Sequence, residues 1–501
     1  MEKGIVRRNY AARVFSVLKR FTMPVLILGA LIAALVASNK YVYDDIDTLP
    51  KSAENGDGLA TPVFSIRRAP ELLTSPLELE KLSTNLTDLM STAPTGSCIS
   101  VTVDGEDLFG FQQDIPLSPG TNVKVITAAA AILQMGSDFT YETIVAAERE
   151  PNEDGSLLST DLYVFGSGDP ILMTDSYSEL LPEEYSPIRT NADELADLTV
   201  GVNILFVQGA VRVDESRYDE IRTVESWSDE FQSEGLIGSM SASLLDQGFD
   251  GLRSNYNSQR GVEDPPALTP SRDPAIRFAA NFDDLLEARN VIILESAREF
   301  SGLALEDLVQ LLSIESPPMT KIVEQMLMND DHMTAEMLVK EIGYSRSGEG
   351  KSSVGTSGVT EIIRGAGVSE TGLLVVDGSG VSSGNQVTCE IMREIADFAT
   401  LKPVFNEAFP VAGEEGTVAN EFLYSLFSGN LRAKFSQSPT SAALVGYFTT
   451  TSGENITISF MVNHGEAENW VETKLDAFFI NLANHLSSFS SGLPIEMLEP
   501  K

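Results

Sequence analysis

The 501 residues read as a chain of mixed α and β elements with a strand-rich middle, held at its amino end by one apolar helix. Three observations predict this. Residues 21–39 form an uncharged apolar run. Alternating apolar and polar residues mark strands near both ends of the remaining chain. Between roughly 145 and 310, short strand-like runs are separated by acidic, proline-rich loops.

The elements follow in order. Residues 1–20 carry six basic side chains against the single acid Glu2. A helix the length of 21–39 crosses a hydrocarbon core of about 30 Å, and the basic flank keeps the start in the cytoplasm. Val36-Ala37-Ser38 would also pass as a signal-peptide cleavage site, but the run is long for that, and an uncleaved anchor is the reading adopted. Residues 40–75, rich in acids, Pro and Gly, read as a stalk leading to Pro76 and a helix LELEKLSTNLTDLM. CISVTVDG then reads as a half-buried strand with DLFGFQQD as its hairpin partner, and SPGTNVKVITAAAAILQMG as a turn followed by a small-residue helix. Residues 146–309 read as a mainly β inserted domain, with an amphipathic helix AIRFAANFDDLLEARNV near its end. TKIVEQMLMNDDHMTAEMLVKEIG is helical again, LVGYFTTT and NITISFMVNH are strands, and a helix over about 468–487 closes the chain.

Lys and Arg number 34 against 73 Asp and Glu, a formal charge of −39. Without the first 20 residues, 28 basic groups face 72 acidic ones, a net of −44. Such a surplus repels phosphate backbones and argues against a nucleic-acid partner. Three histidines (His332, His464, His485) and two cysteines give too few ligands for a structural zinc site, and no dinucleotide, P-loop or HExxH pattern stands out. No cofactor or metal is expected. Cys98 and Cys389 can either bridge or stay as free thiols; their spacing does not decide.

Five stretches, in order, resemble the low-molecular-mass penicillin-binding proteins of the D-alanyl-D-alanine carboxypeptidase/endopeptidase type that carry a large insert. They are LSPGTNVKVITAAAAILQMGSDFTYET, DLYVFGSGDPIL, NILFVQGAVRVDESRYD with GSMSASLLDQG, MNDDHMTAEMLVKEIG with GLLVVDGSGVSSGNQVT, and FPVAGEEGTVANEF with LRAKFSQSPTSAALVGYF. The resemblance implies an α+β, beta-lactamase/transpeptidase-like domain built from 76–145 and 310–501. It also implies peptidoglycan stem peptides or a β-lactam as ligands, and the catalytic motifs Ser-x-x-Lys, Ser-x-Asn and Lys-Thr-Gly.

On those motifs the chain departs from the pattern. The first falls on Thr121-Asn122-Val123-Lys124, the second on Asp330-Asp331-His332, and the third on Lys434-Phe435-Ser436. Thr121 keeps a hydroxyl, but its methyl group crowds attack. An ionised Asp330 cannot relay a proton, and its charge is expected to raise the Lys124 pKa and spoil it as a base. Phe435 and Ser436 are expected to fill the substrate groove. His332 is a candidate proton shuttle, Lys434 a cation for a substrate carboxylate. Ser16-Val17-Leu18-Lys19 fits Ser-x-x-Lys but lies on the cytoplasmic side of the anchor. Ser383-Gly384-Asn385 and Ser428-Gly429-Asn430 fit a Ser-x-Asn pattern short enough to recur by chance, and Lys-Thr-Gly occurs nowhere. Asp377 and Gly380 are expected to fix a turn. The reading is a membrane-anchored, extracytoplasmic relative of these enzymes, catalytically impaired and acting in wall binding or regulation. The alternative is an active carboxypeptidase with Thr121 as nucleophile and Lys124 as base.

Overall fold

Strands from the two ends of the chain meet in one sheet. The structure, a computed structural model, describes residues 71–181, 188–228, 231, 237–257, 262–463 and 467–489. The anchor segment 21–39, Ser16-Val17-Leu18-Lys19, nearly all of the stalk and His464 lie outside the described residues. Among those described, no helix is long and apolar enough to cross a membrane.

In chain order the principal elements are α1 (Glu71–Met90), β1 (Ser97–Val103), β2 (Glu106–Phe111), α2 (Val123–Met135), β3 (Glu142–Ala147), β4 (Leu162–Phe165), α3 (Ala192–Gly201), β5 (Val211–Asp214), α4 (Pro274–Glu287), β6 (Arg298–Phe300), β7 (Val309–Glu315), α5 (Met319–Asn329), α6 (His332–Ser347), α7 (Ser352–Gly365), α8 (Cys389–Asp397), α9 (Lys402–Ala408), β8 (Leu431–Ser438), β9 (Ser441–Thr449), β10 (Asn455–Asn463) and α10 (Ala467–Ser487). The helix expected after Pro76 starts earlier, at Glu71.

The main sheet runs β8-β9-β10-β1-β2, antiparallel throughout. The two-residue period of each strand sorts its side chains between two cores. On one face Leu431, Ala433, Phe435, Leu444 and Phe460 pack against α1 and α10. On the other, Cys98, Ala443, Val445 and Met461 pack against α2, α5 and α8. β1 is therefore buried on both faces rather than half-buried. Its polar residues face a network instead of water: Thr102 Oγ1 donates to Asp397 at 2.6 Å, and Arg393 Nε donates to Ser100 Oγ at 3.2 Å.

A second sheet, β6-β5-β4-β3-β7, serves the middle of the chain. It is parallel at β6/β5/β4 and antiparallel at β4/β3/β7. Helices α3 and α4 complete its core through Leu195, Phe278, Phe282 and Leu286, so helices share this segment with the strands. The α4 start has a local cause: the Asp273 side chain caps Ile276 N, and Pro274 occupies the first turn.

The run 320–343 is not one helix. Asp330 adopts φ 56°, ψ 34° and ends α5, and Asp331 caps α6 by accepting from Thr334 N at 3.1 Å. This break sets the site.

Candidate active site

α2 begins beneath the turn at Gly120–Asn122. That turn is pinned to the sheet by three hydrogen bonds. Asn122 Nδ2 donates to Lys434 O (3.1 Å), Ser436 Oγ to Pro119 O (3.3 Å), and Asn463 Nδ2 to Ser118 O (2.7 Å). Gly120 is required here: its φ is +55°, and a Cβ would lie 2.8 Å from Ser436 Oγ. Thr121 sits on this turn and Lys124 one helical turn further on, fully buried.

The structure brings four of the five expected residues into one cluster. Lys124 Nζ lies 3.0 Å from Asp330 Oδ1, 2.8 Å from His332 Nδ1 and 2.8 Å from Ser379 O. Lys434 Nζ lies 2.7 Å from the same Asp330 oxygen. Its ammonium makes no aligned hydrogen bond there, so the contact is an ion pair with N–H groups to spare. Thr121, the fifth, is on the adjoining turn, and its hydroxyl makes no hydrogen bond among the described residues.

Asp330 and His332 reach Lys124 because of the helix break. The left-handed residue turns the Asp330 carboxylate toward both lysines, and His332 follows as the first residue of α6. The wall opposite is the Asp377–Gly380 turn. Asp377 is buried and accepts from Gly380 N (2.8 Å), Ser382 N (2.6 Å), Asn385 Nδ2 (2.6 Å) and Trp227 Nε1 (2.9 Å). Gly380 packs so tightly on Gly120 that a Cβ would come within 2.1 Å of its carbonyl oxygen. From α6, Glu336 Oε1 accepts from Gly378 N (3.0 Å) and Ser379 N (2.8 Å), and Thr127 Oγ1 donates to Gly378 O (2.9 Å). Asn385 is thus a turn residue and no relic of Ser-x-Asn. Asn430 likewise bonds Thr449 O at 3.0 Å, at the foot of β8.

Electrostatics correct one expectation. Lys124 is lowered to about 8, not raised: burial and the Lys434 charge outweigh the attraction of Asp330. Burial alone would raise Asp330, but the two lysines overcome it and hold the carboxyl below the usual range. His332 is pushed down to about 3 by burial and by Lys124, so its ring is neutral at ordinary pH. The charged Lys124 then donates to a lone pair on Nδ1. Glu336 is raised to about 8 by burial and by the Asp377 charge.

Geometry corrects another. Phe435 does not fill the groove. β8 alternates, so Phe435 points to the face opposite Lys434 and packs edge-on against Phe422 (5.1 Å) and Phe479 (5.8 Å). Of Phe435 and Ser436, Ser436 is the one on the Lys434 face. Sequence reading missed Glu336 and Trp227, whose only signal was a polar or aromatic residue at a position that proved buried. It also missed Ser379, which acts through a backbone carbonyl that any residue supplies. His485 sits in the last turn of α10, away from the cluster.

Residues 78–271 and 260–482 match the model of a peptidase family, the D-Ala-D-Ala carboxypeptidase 3 (S13) family. The chain belongs to that family. It is 28% identical to the D-alanyl-D-alanine carboxypeptidase of Actinomadura sp. (strain R39) over 445 residues, spanning 78% of this chain and 82% of that one. A carboxypeptidase of Mycobacterium tuberculosis is 26% identical over 419 residues, 81% of this chain and 82% of its own. Among solved structures, penicillin binding protein 4 of Haemophilus influenzae shares the fold with a TM-score of 0.63 at 18% identity, covering 80% of this chain and 99% of that one. The same protein solved in complex with a β-lactam gives 0.60 at 19% identity. The mixed α/β architecture is thus that of penicillin-binding protein 4, and the chain resembles the carboxypeptidases of peptidoglycan metabolism.

Proposed function

We propose that the protein is a membrane-anchored, extracytoplasmic member of this family that binds peptidoglycan stem peptides, or β-lactams in their place, with little or no hydrolysis, and that it acts in wall binding or regulation. Residues 21–39 are the anchor in this reading. One observation carries it. Lys124 has three N–H donors, and Asp330, His332 and Ser379 O take all three. A general base needs a lone pair on its nucleophile's hydroxyl, and this ammonium has none to offer Thr121. Asp330 cannot act as the relay hydroxyl while it is held ionised between two lysines. Lys434 is buried with Asp330 as its ion-pair partner, and its remaining N–H groups are the cation for a substrate carboxylate in this reading, which favours a binding role over an empty scaffold.

A second reading has its own support. With Lys124 lowered to about 8, a mildly alkaline medium frees its amine, and the Thr121 hydroxyl is one helical turn away. The two readings separate on treatment of the full-length protein with a fluorescent penicillin, followed by intact mass and a Thr121→Ala control. No adduct from folded protein, together with saturable binding of a D-Ala-D-Ala-terminated peptide, is expected. An adduct lost in Thr121→Ala establishes a live nucleophile and overturns the first reading.

A further inference from the structure

Strand β8 has a second side. Behind Phe435, on the sheet face away from Lys434, a cavity of about 140 Å³ opens between residues 420–425 and α10. Its floor is a trio of rings set edge to face: Phe422 and Phe435 at 5.1 Å, Phe422 and Phe479 at 5.2 Å, Phe435 and Phe479 at 5.8 Å. Phe422 holds φ +61°, a left-handed conformation that a bulky side chain seldom adopts and that costs on the order of 1–3 kcal/mol. At the rim Tyr424 is 90% exposed. An aromatic residue kept this bare beside a cavity is a contact surface waiting for a partner.

The rim also carries two carboxylates, Glu421 and Asp476. Neither side chain has a hydrogen bond or ion pair among the described residues. Glu421 is raised by burial and by the Asp476 charge beside it, as expected of like charges with no cation between them. Aromatic faces and unpaired carboxylates both attract a cation on an apolar stem. Anionic lipid is repelled by the same acids, and a second copy of a chain of charge −39 is repelled as a whole.

We propose that this cavity is a docking pocket for a lysine-type alkylammonium side chain, presented by a basic, apolar segment of a partner protein. The stem lies on the three phenylalanine rings, the ammonium between Glu421 and Asp476, and Tyr424 closes over the segment's apolar neighbours.

The test is calorimetric titration of the full-length protein in phosphatidylcholine nanodiscs with three peptides: acetyl-Leu-Lys-Leu-amide, its norleucine analogue and its glutamate analogue. The expected result is saturable binding of the lysine peptide, about tenfold tighter than norleucine, with glutamate weakest. Glu421→Gln combined with Asp476→Asn, both at the rim and away from the core, removes the preference for lysine. Tyr424→Ala weakens all three. Equal affinities, a preference that survives the double substitution, or no saturable binding overturns the proposal. So does a dimer by light scattering that Tyr424→Ala dissolves, since a second copy is then the occupant.

Discussion

Asp330 is the residue on which the site turns. Its single carboxylate is shared between two buried lysines, Lys124 and Lys434. Removing one partner of a buried ion cluster leaves charges without compensation, at a cost of about 3–5 kcal/mol. Asp330→Asn is therefore expected to lower stability by roughly 3 kcal/mol in urea unfolding. The sign with pH follows from the depressed Asp330 carboxyl: its stabilisation is complete above the ordinary carboxylate range and is lost as pH falls through it. In Asp330→Asn that acid-side loss should shrink. Glu336 has the opposite sign. Its folded value, about 8, lies above the ordinary one, so its contribution is full below about pH 4.5 and is lost as pH rises toward 8. Glu336→Gln keeps an acceptor for Gly378 N and Ser379 N. It should therefore match the parent near pH 4.5 and exceed it by about 3 kcal/mol near pH 8, read by denaturant titration at the two values. Equal pH profiles would mean that the Asp377–Gly380 turn does not depend on an uncharged Glu336.

At the scale of elements, two placements decide what the side chains can do. The first is the break between α5 and α6. The apolar period runs through it, so the sequence reads as one helix, and the left-handed Asp330 shows only as a pair of aspartates that also suits a solvated face. Once Asp331 is seen as an N-cap, the reach of Asp330 and His332 toward Lys124 follows. The second is the alternation of β8, fully legible in LRAKFSQS: if Lys434 faces the site, Phe435 cannot. The expectation of a blocked groove failed because motif position was read without the strand's period. Residue identity at Thr121, Lys124, Asp330, His332 and Lys434 was legible. The third acceptor around Lys124, Ser379 O, was not, since it is a backbone carbonyl placed by the turn that Asp377 holds. The strand argument has a measurable consequence. Phe435→Ala removes a ring from the core against α10 and should cost about 3–5 kcal/mol. Its penicillin labelling, at a temperature where the variant is folded, should equal the parent's. A gain of labelling in Phe435→Ala would place the ring in the groove after all.

At the scale of the molecule, the chain must close a sheet whose strands come from its two ends, with the second sheet between them in sequence. β1 pairs with β10 from Ser97↔Val462 to Val103↔Ile456, and every such contact pays the entropy of closing a loop of several hundred residues. Cys98 and Cys389 meet this problem directly. Both are fully buried, their Cα atoms are 6.0 Å apart, and the bridge they form ties β1 to α8 across 291 residues of sequence. The tie restricts the unfolded chain most where the loop is longest, and a bridge of this reach is worth about 2–5 kcal/mol. The hydrogen bonds and ion pairs of Lys124, Asp330 and Lys434 do not involve the cysteines. Cys98→Ala with Cys389→Ala is therefore expected to lower the unfolding free energy by that amount while stem-peptide affinity, measured well below the new midpoint, stays within about twofold of the parent. A variant of unchanged stability would show that the pairing of β1 with β10 holds the two ends together unaided. A selective loss of affinity would show that the bridge, through α8, also sets the turn that holds Lys124.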